Sequence, residues 1–316
     1  MRRFTFETPE GDMSALEFGD PAGRLSAVWL HATGFNAMTY QSILAPLGLR
    51  TKVQAVDMRG HGRATLPAEP RKLKTWKTYR DDVIAFLDRQ SPTKKVVLGG
   101  HSMGGTVALL VAGARPEKVA GLVLADPVIL TPRYYTYMHL FPFGGGSHHM
   151  ARQARKRRPE FGSVDEIKES YTGRGAFKNW REPFLGDYIL DGFDRVDGND
   201  RESEDQTWRL LCEPKWEAAT FAAQRNRPWN ALSKVKKHNI PITVLRPESQ
   251  SVMTDKVAAR ILRKCPHLVL KERANTTHFL PMEAPYDVRD QLSAYISSLI
   301  EGVAEDEFSH VKRSLR

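Results

Sequence analysis

Cysteine is scarce in this sequence, whose 316 residues include only Cys212 and Cys265. Two cysteines cannot supply the disulfide framework of a small secreted domain, so we expect both to be reduced and structural. No apolar run is long enough to cross a bilayer, and the first residues lack the apolar core of a signal peptide. These absences predict a cytoplasmic protein without a membrane partner.

Metal-binding motifs are absent as well, since the sequence contains neither His-Glu-x-x-His nor paired Cys-x-x-Cys. We therefore expect no metal ion and no cofactor. His148 and His149 lie in a glycine-rich stretch without neighbouring ligand-type residues, and we interpret them as solvated. Internal repeats and low-complexity segments are also missing.

Acidic residues are too few to balance the basic ones, and the formal net charge is +10. Basic residues cluster at 152–158 and at 312–316. No helix-turn-helix, zinc-finger or RNA-binding pattern accompanies these clusters. We interpret 152–158 as a solvated helical face, and we expect no nucleic-acid partner.

Short β-rich runs alternate with helical patterns through the first 127 residues. After an opening hairpin (4–7 and 14–18), strands are predicted at 26–30, 53–56, 96–98 and 120–124, and helices at 39–47, 76–88 and 106–114. This alternation predicts an α/β fold, in which helices flank a mostly parallel β-sheet.

The alternation stops at residue 128, where an aromatic, charged and loop-rich segment with few β runs begins. A strand at 240–245 restores it, followed by helices at 255–262 and 288–299 with a strand near Leu268 between them. We therefore expect residues 1–127 and 240–316 to form the core. Residues 128–239 are predicted to form a mainly helical cap, with a few of its aromatic side chains lining a pocket.

Ser102 is the candidate nucleophile, because residues 100–104 read Gly-His-Ser-Met-Gly between a predicted strand and a predicted helix. In G-x-S-x-G the serine occupies a tight, strained turn that exposes its hydroxyl, and the glycines allow close packing around it. A serine hydroxyl needs a neighbouring base to become a good nucleophile. The alternative interpretation is a glycine-rich turn with a capping serine.

His278 is the candidate base, since it follows the predicted strand at 267–272 and precedes the last helix. A histidine that follows the serine in the chain matches the order found with the strand–turn–helix nucleophile. The alternative for His278 is an ordinary loop histidine. We expect His101, next to the candidate nucleophile, to be a packing residue.

With these features, the chain resembles the α/β-hydrolase fold family over residues 25–127 and 240–300. The resemblance rests on the G-x-S-x-G motif and on the segments 31–35, 57–62, 121–127 and 278–283. It implies an oxyanion hole formed by the backbone N–H groups of Met103, directly after the nucleophile, and of Thr33. Ala32 stands where the family usually has glycine, and Thr33 has a local turn cap as its alternative role.

The third member of a catalytic triad is not evident from the sequence. In most relatives the acid is an aspartate in the loop after the strand that follows the cap, but here Gln250 or Ser251 holds that position. Asp126, at the end of the strand before the cap, is the favoured replacement. Glu248 is the second candidate, and the absence of a working acid is the third possibility.

The resemblance implies a serine hydrolase that cleaves a small to medium carboxylic ester or lactone through an acyl-enzyme on Ser102. A small-molecule, ester-like substrate is then the expected partner. Carbon–carbon bond hydrolases, amidases and cofactor-free haloperoxidases share this scaffold, and fold alone does not choose among them. A non-catalytic ligand-binding protein on a hydrolase scaffold is the alternative from another functional class.

Overall fold

The computed structural model describes residues 1–8, 10–141, 149–196 and 207–314, with side chains up to residue 302. His148 and the side chains of 312–316 therefore lie outside the described residues. His149, expected to be solvated, is exposed.

An eight-stranded sheet forms the centre of the molecule. Including three short strands of a second sheet, the strands of the described residues are β1 (Arg2–Thr8), β2 (Gly11–Phe18), β3 (Leu25–Leu30), β4 (Lys52–Asp57), β5 (Val96–His101), β6 (Val119–Ala125), β7 (Glu160–Phe161), β8 (Phe193–Val196), β9 (Thr207–Leu210), β10 (Ile242–Pro247) and β11 (Val269–Arg273). The order in the large sheet is β1-β2-β4-β3-β5-β6-β10-β11. Only the β1–β2 and β2–β4 pairs are antiparallel, so the predicted mostly parallel sheet is confirmed.

Helices flank this sheet and make up much of the segment between β6 and β10. They are α1 (Gln41–Leu44), α2 (Lys77–Gln90), α3 (Met103–Ala114), α4 (Pro132–Leu140), α5 (His149–Arg155), α6 (Val164–Tyr171), α7 (Phe184–Gly192), α8 (Pro214–Ala222), α9 (Pro228–Lys237), α10 (Asp255–Lys264), α11 (Leu280–Glu283) and α12 (Pro285–Ser314). The helix predicted over 39–47 is instead the short α1 between two 3-10 turns. Pro46 and Gly48 explain the difference, because both disfavour a continuous α-helix there.

Hydrophobic side chains cover both faces of the sheet. Along β3, Val28 and Leu30 belong to one buried cluster, whereas Ala27 and Trp29 belong to another. Alternate side chains of a strand point to opposite faces, so the two clusters lie on the two sides of the sheet. This double burial explains why β3 and β5 are buried along their whole length and are mostly apolar.

The inserted segment, residues 128–239, contains α4 to α9 and a three-stranded antiparallel sheet in the order β7-β9-β8. The sequence predicted few β runs in this region. These strands have two to four residues, which is too short for an alternating pattern to be recognised. Asp126 and Pro127 connect the end of β6 to the inserted segment.

The basic cluster at 152–158 is only partly the solvated helical face that its spacing predicts. Helix α5 ends at Arg155, so helical spacing no longer applies beyond it. The Arg157 guanidinium instead donates hydrogen bonds to Glu217 (2.6 Å), Tyr188 (2.8 Å) and Tyr171 (3.0 Å). Arg157 therefore joins three parts of the inserted segment, and the prediction was wrong for this residue.

Two further expectations concern thiols and membranes. Cys212 and Cys265 are free and buried, and burial raises the pKa of both thiols, which makes them weak nucleophiles. Among the helices of the described residues, none has the length and hydropathy needed to span a bilayer.

Candidate active site

Ser102 lies between β5 and α3, in a backbone conformation that non-glycine residues rarely adopt (φ 54°, ψ −115°). The turn is as tight as the motif predicts. A Cβ added at Gly100 would lie 2.4 Å from the Gly104 carbonyl carbon, and one added at Gly104 would lie 2.2 Å from the Leu30 carbonyl oxygen. Both glycines are therefore required for the turn that presents the Ser102 hydroxyl.

His278 lies in the loop between β11 and α11, opposite Ser102. Its Nε2 atom is 3.0 Å from Ser102 Oγ, which is hydrogen-bonding distance. The neighbouring Thr277 donates its N–H and its hydroxyl to the two carboxylate oxygens of Glu283, at 2.6 and 2.7 Å. This pair of bonds holds the loop in place beside α11.

Asp126 follows β6 and is completely buried. Its Oδ2 atom lies 2.7 Å from His278 Nδ1. The loop after β10 supplies two more donors, because the Ser251 hydroxyl donates to Oδ1 (2.6 Å) and the Val252 N–H donates to Oδ2 (3.1 Å). A buried carboxylate needs hydrogen-bond donors to replace water, and these three groups provide them.

Glu248, the second candidate for the acid, has a different role in the structure. It is exposed, and its carboxylate accepts the backbone N–H of Asn275 at 2.7 Å. Asn275 has a left-handed backbone (φ 57°), so Glu248 stabilises a strained turn. The structure therefore brings Asp126 to the His278 ring, whereas Glu248 supports the loop from outside.

The two predicted oxyanion donors lie on neighbouring segments. Met103 is the first residue of α3, and the first main-chain bond of that helix runs from Thr106 N–H to Ser102 O (3.1 Å), so the Met103 N–H has no acceptor within the helix. Thr33 follows β3 and is buried, with its hydroxyl 3.4 Å from Met103 Sδ. The predicted role of both N–H groups stays a prediction.

His101 does more than pack, which sequence reasoning missed. It is fully buried, and its Nε2 lies 2.7 Å from the His278 carbonyl oxygen while its Nδ1 lies 2.9 Å from Tyr40 Oη. Burial lowers the pKa of His101 well below its usual value, so the ring is neutral. Nε2 then donates to His278, and Nδ1 accepts from Tyr40.

Tyr40 extends this connection, because its hydroxyl also accepts the Ala32 N–H at 3.2 Å. The loop that carries Thr33 is thereby linked to the main chain of His278 through two buried side chains. The only sequence signal was the position of His101 next to Ser102, because nothing in the sequence indicates that Tyr40 lies nearby.

Aromatic side chains of the inserted segment reach this region. Phe35 follows β3, and the centroid of its ring lies 5.1 Å from that of Trp180 in the inserted segment and 6.2 Å from that of Phe279. Phe279 in turn lies 5.5 Å from the His278 ring. Aromatic rings therefore lie on one side of His278, and apolar neighbours strengthen electrostatic interactions between polar groups.

Known proteins resemble this chain, some along most of its length and others over a part of it. A model of the Alpha/beta hydrolase family matches residues 27–291. An uncharacterized hydrolase, YugF of Bacillus subtilis (strain 168), is 22% identical over 305 residues, which cover 94% of this chain and 97% of that protein. The monoglyceride lipase of Homo sapiens is 35% identical over 104 residues, 32% of this chain and 34% of the lipase.

Among solved structures, that of E-2-(acetamidomethylene)succinate hydrolase superposes with a TM-score of 0.74. It covers 94% of this chain and 99% of its own, at 21% sequence identity. At this identity the likeness concerns the fold and leaves the substrate open.

Proposed function

The chain belongs to the alpha/beta hydrolase family, and from that premise we propose that it is a serine hydrolase acting on a small to medium carboxylic ester or lactone. One observation carries the proposal: Ser102 Oγ, the His278 ring and the Asp126 carboxylate form a continuous hydrogen-bonded chain, with distances of 3.0 and 2.7 Å. Nucleophile, base and orienting acid in this order activate a serine hydroxyl.

In the first half of the proposed reaction, Ser102 Oγ attacks the acyl carbon while His278 Nε2 takes the hydroxyl proton. Asp126 stabilises the imidazolium that forms. The negative charge on the former carbonyl oxygen is held by the N–H groups of Met103 and Thr33, and each such donor typically contributes about 3 kcal/mol. His278 then gives the proton to the leaving alcohol, and the acyl group stays on Ser102.

In the second half, His278 takes a proton from water, and the resulting hydroxide attacks the acyl-enzyme. The tetrahedral intermediate collapses, the carboxylic acid leaves, and the proton returns from His278 to Ser102 Oγ. His278 carries every proton that is transferred, so these reaction steps require neither a metal ion nor a cofactor.

An ester is the favoured substrate class because the human relative is a monoglyceride lipase. The aromatic group of Phe35, Trp180 and Phe279 beside His278 suits an apolar acyl or alcohol part. We further propose that residues 128–239 act as a cap, since Trp180 of this segment is among those aromatic residues. The cytoplasmic location stays a prediction.

Reaction with an active-site label tests the proposal directly. A fluorophosphonate probe should label wild-type protein at Ser102, and Ser102→Ala should abolish labelling and lower turnover of p-nitrophenyl acyl esters by at least about 10⁴-fold. Peptide mapping by mass spectrometry identifies the labelled residue. Wild-type turnover by Ser102→Ala would contradict the proposal. Absent labelling together with saturable binding of a small ligand would favour the non-catalytic alternative.

A further inference from the structure

Ser251 lies in the loop after β10, at one of the two positions where an aspartate was expected, and its side chain contacts Asp126. The Ser251 hydroxyl lies 2.6 Å from Asp126 Oδ1, on the carboxylate oxygen that does not face His278. The other oxygen, Oδ2, accepts from the His278 ring and from the Val252 N–H. The carboxylate is therefore held through both of its oxygens.

The direction of the Ser251 hydrogen bond follows from its other contacts. The Met253 N–H donates to Ser251 Oγ at 3.1 Å, and the Met253 carbonyl lies at 3.1 Å from the same atom. A hydroxyl has one proton. The proton belongs on the shorter bond to the buried carboxylate, because bonds to charged groups are the stronger ones. Ser251 thus accepts from Met253 and donates to Asp126.

The loop that carries Ser251 is itself fixed to the sheet. Arg246 of β10 donates through Nε to the Met253 carbonyl at 3.1 Å, and its guanidinium also contacts Asp255 and Glu272. Gln250, just before Ser251, has a left-handed backbone (φ 55°). This conformation persists only where its surroundings hold it, so the direction of the Ser251 side chain is built into the loop.

We propose that Ser251 is a positioning residue that aligns the Asp126 carboxylate with His278. This inference rests on the proposed function, and it assigns a role to the residue that stands where an acid was expected. Asp126 projects from the end of β6 with a left-handed backbone (φ 38°). Without the Ser251 bond, Oδ1 of this completely buried carboxylate would lose its donor, and the carboxylate would be held only through the bonds of Oδ2 to His278 and Val252.

Substitution of the hydroxyl, with a matched control in the same loop, tests the role. Ser251→Ala should lower kcat for a p-nitrophenyl ester about 10- to 100-fold, the effect of losing one hydrogen bond to a charged group, and change KM less than twofold. Ser251→Thr keeps a hydroxyl and should restore most of kcat. Ser249→Ala removes a hydroxyl that donates to the Thr276 carbonyl (3.1 Å) and should leave kcat unchanged.

A double-mutant cycle shows whether Ser251 acts through Asp126. In an Asp126→Asn background, Ser251→Ala should lower kcat much less than in the wild type, because the interaction it removes is already weakened. Ser251→Gly provides a second hydroxyl-free variant if Ser251→Ala does not fold, as checked by circular dichroism.

Two results would overturn the positioning role while leaving the proposed function intact. One is wild-type kcat in both hydroxyl-free variants. The other is a loss of kcat from Ser251→Ala that is equally large in the wild-type protein and in the Asp126→Asn background. A wild-type protein that neither reacts with fluorophosphonate nor hydrolyses any ester would instead overturn the proposed function, and the positioning role with it.

Discussion

Asp126 and Glu248 are both acidic residues near the His278 loop, but their carboxylates have different partners. Asp126 is completely buried and 2.7 Å from the His278 ring. Glu248 is exposed and bonded to a main-chain N–H at 2.7 Å. At the scale of single residues, Asp126 is the one of these two that lies at hydrogen-bonding distance from the imidazole, as its proposed role requires.

Asp126→Asn should therefore lower kcat by about 10⁴-fold, the scale found when the partner of a catalytic histidine is disabled. Glu248→Gln keeps an oxygen that can accept the Asn275 N–H, so kcat should change less than about threefold. Steady-state kinetics on the same ester measures both. If Glu248→Gln lost activity and Asp126→Asn did not, the acid of the triad would be Glu248.

The strand–turn–helix element that carries Ser102 depends on close backbone contact. Gly104, in the first turn of α3, faces the Leu30 carbonyl at the end of β3, and there is no room for a methyl group between them. β3, β5 and α3 are thereby packed so that the loop after β3 lies against the nucleophile turn. The geometry of Ser102 is thus a property of three elements together.

Gly104→Ala should destabilise the protein by about 3 kcal/mol and impair labelling of Ser102, because the added methyl group would separate α3 from β3. Gly186→Ala is the control, since a Cβ at this position of α7 would meet no atom within 4 Å. It should leave activity unchanged and stabilise the protein by about 0.5–1 kcal/mol. Denaturant unfolding gives the free energies, and equal stability of the two variants would contradict the packing argument.

Buried histidines make the stability of the whole molecule sensitive to acid. Burial lowers the pKa of His31 to about 4 and that of His61 to about 3, from 6.5. Between these values and 6.5, the unfolded chain binds protons that the folded protein does not. The free energy of unfolding therefore decreases as the pH falls below 6.5. This decrease continues until the pH reaches the pKa values that the two histidines have in the folded protein.

The free energy of unfolding should fall by about 2 kcal/mol for each of these histidines between pH 7.5 and pH 5. Urea unfolding at the two pH values measures the change. His31→Gln should reduce this change by about 2 kcal/mol, the contribution of one such histidine, whereas His149→Gln, at an exposed histidine, serves as the control for the substitution. Stability that rises on acidification would show that other groups dominate.

The features that could be predicted from the sequence are those that local sequence patterns encode. Ser102 was identified because its motif spans five residues between a strand and a helix, and chain order then singled out His278. The sheet and the flanking helices follow from apolar periodicity. The strands β7 to β9 were missed because they are very short, and Arg157 was misplaced because α5 ends before it.

The sequence by itself determined the family, the mostly parallel sheet and the candidate nucleophile and base, because each depends on residues that are adjacent or regularly spaced. The sequence favoured Asp126 over Glu248, but only the tertiary structure brings the Asp126 carboxylate against the His278 ring, and only it revealed the contacts of Ser251, His101 and Tyr40 around the site. These choices depend on which loops meet at the edge of the sheet. Asp126, Ser251 and His278 lie on three separate segments, so their contacts arise from packing that no local pattern encodes.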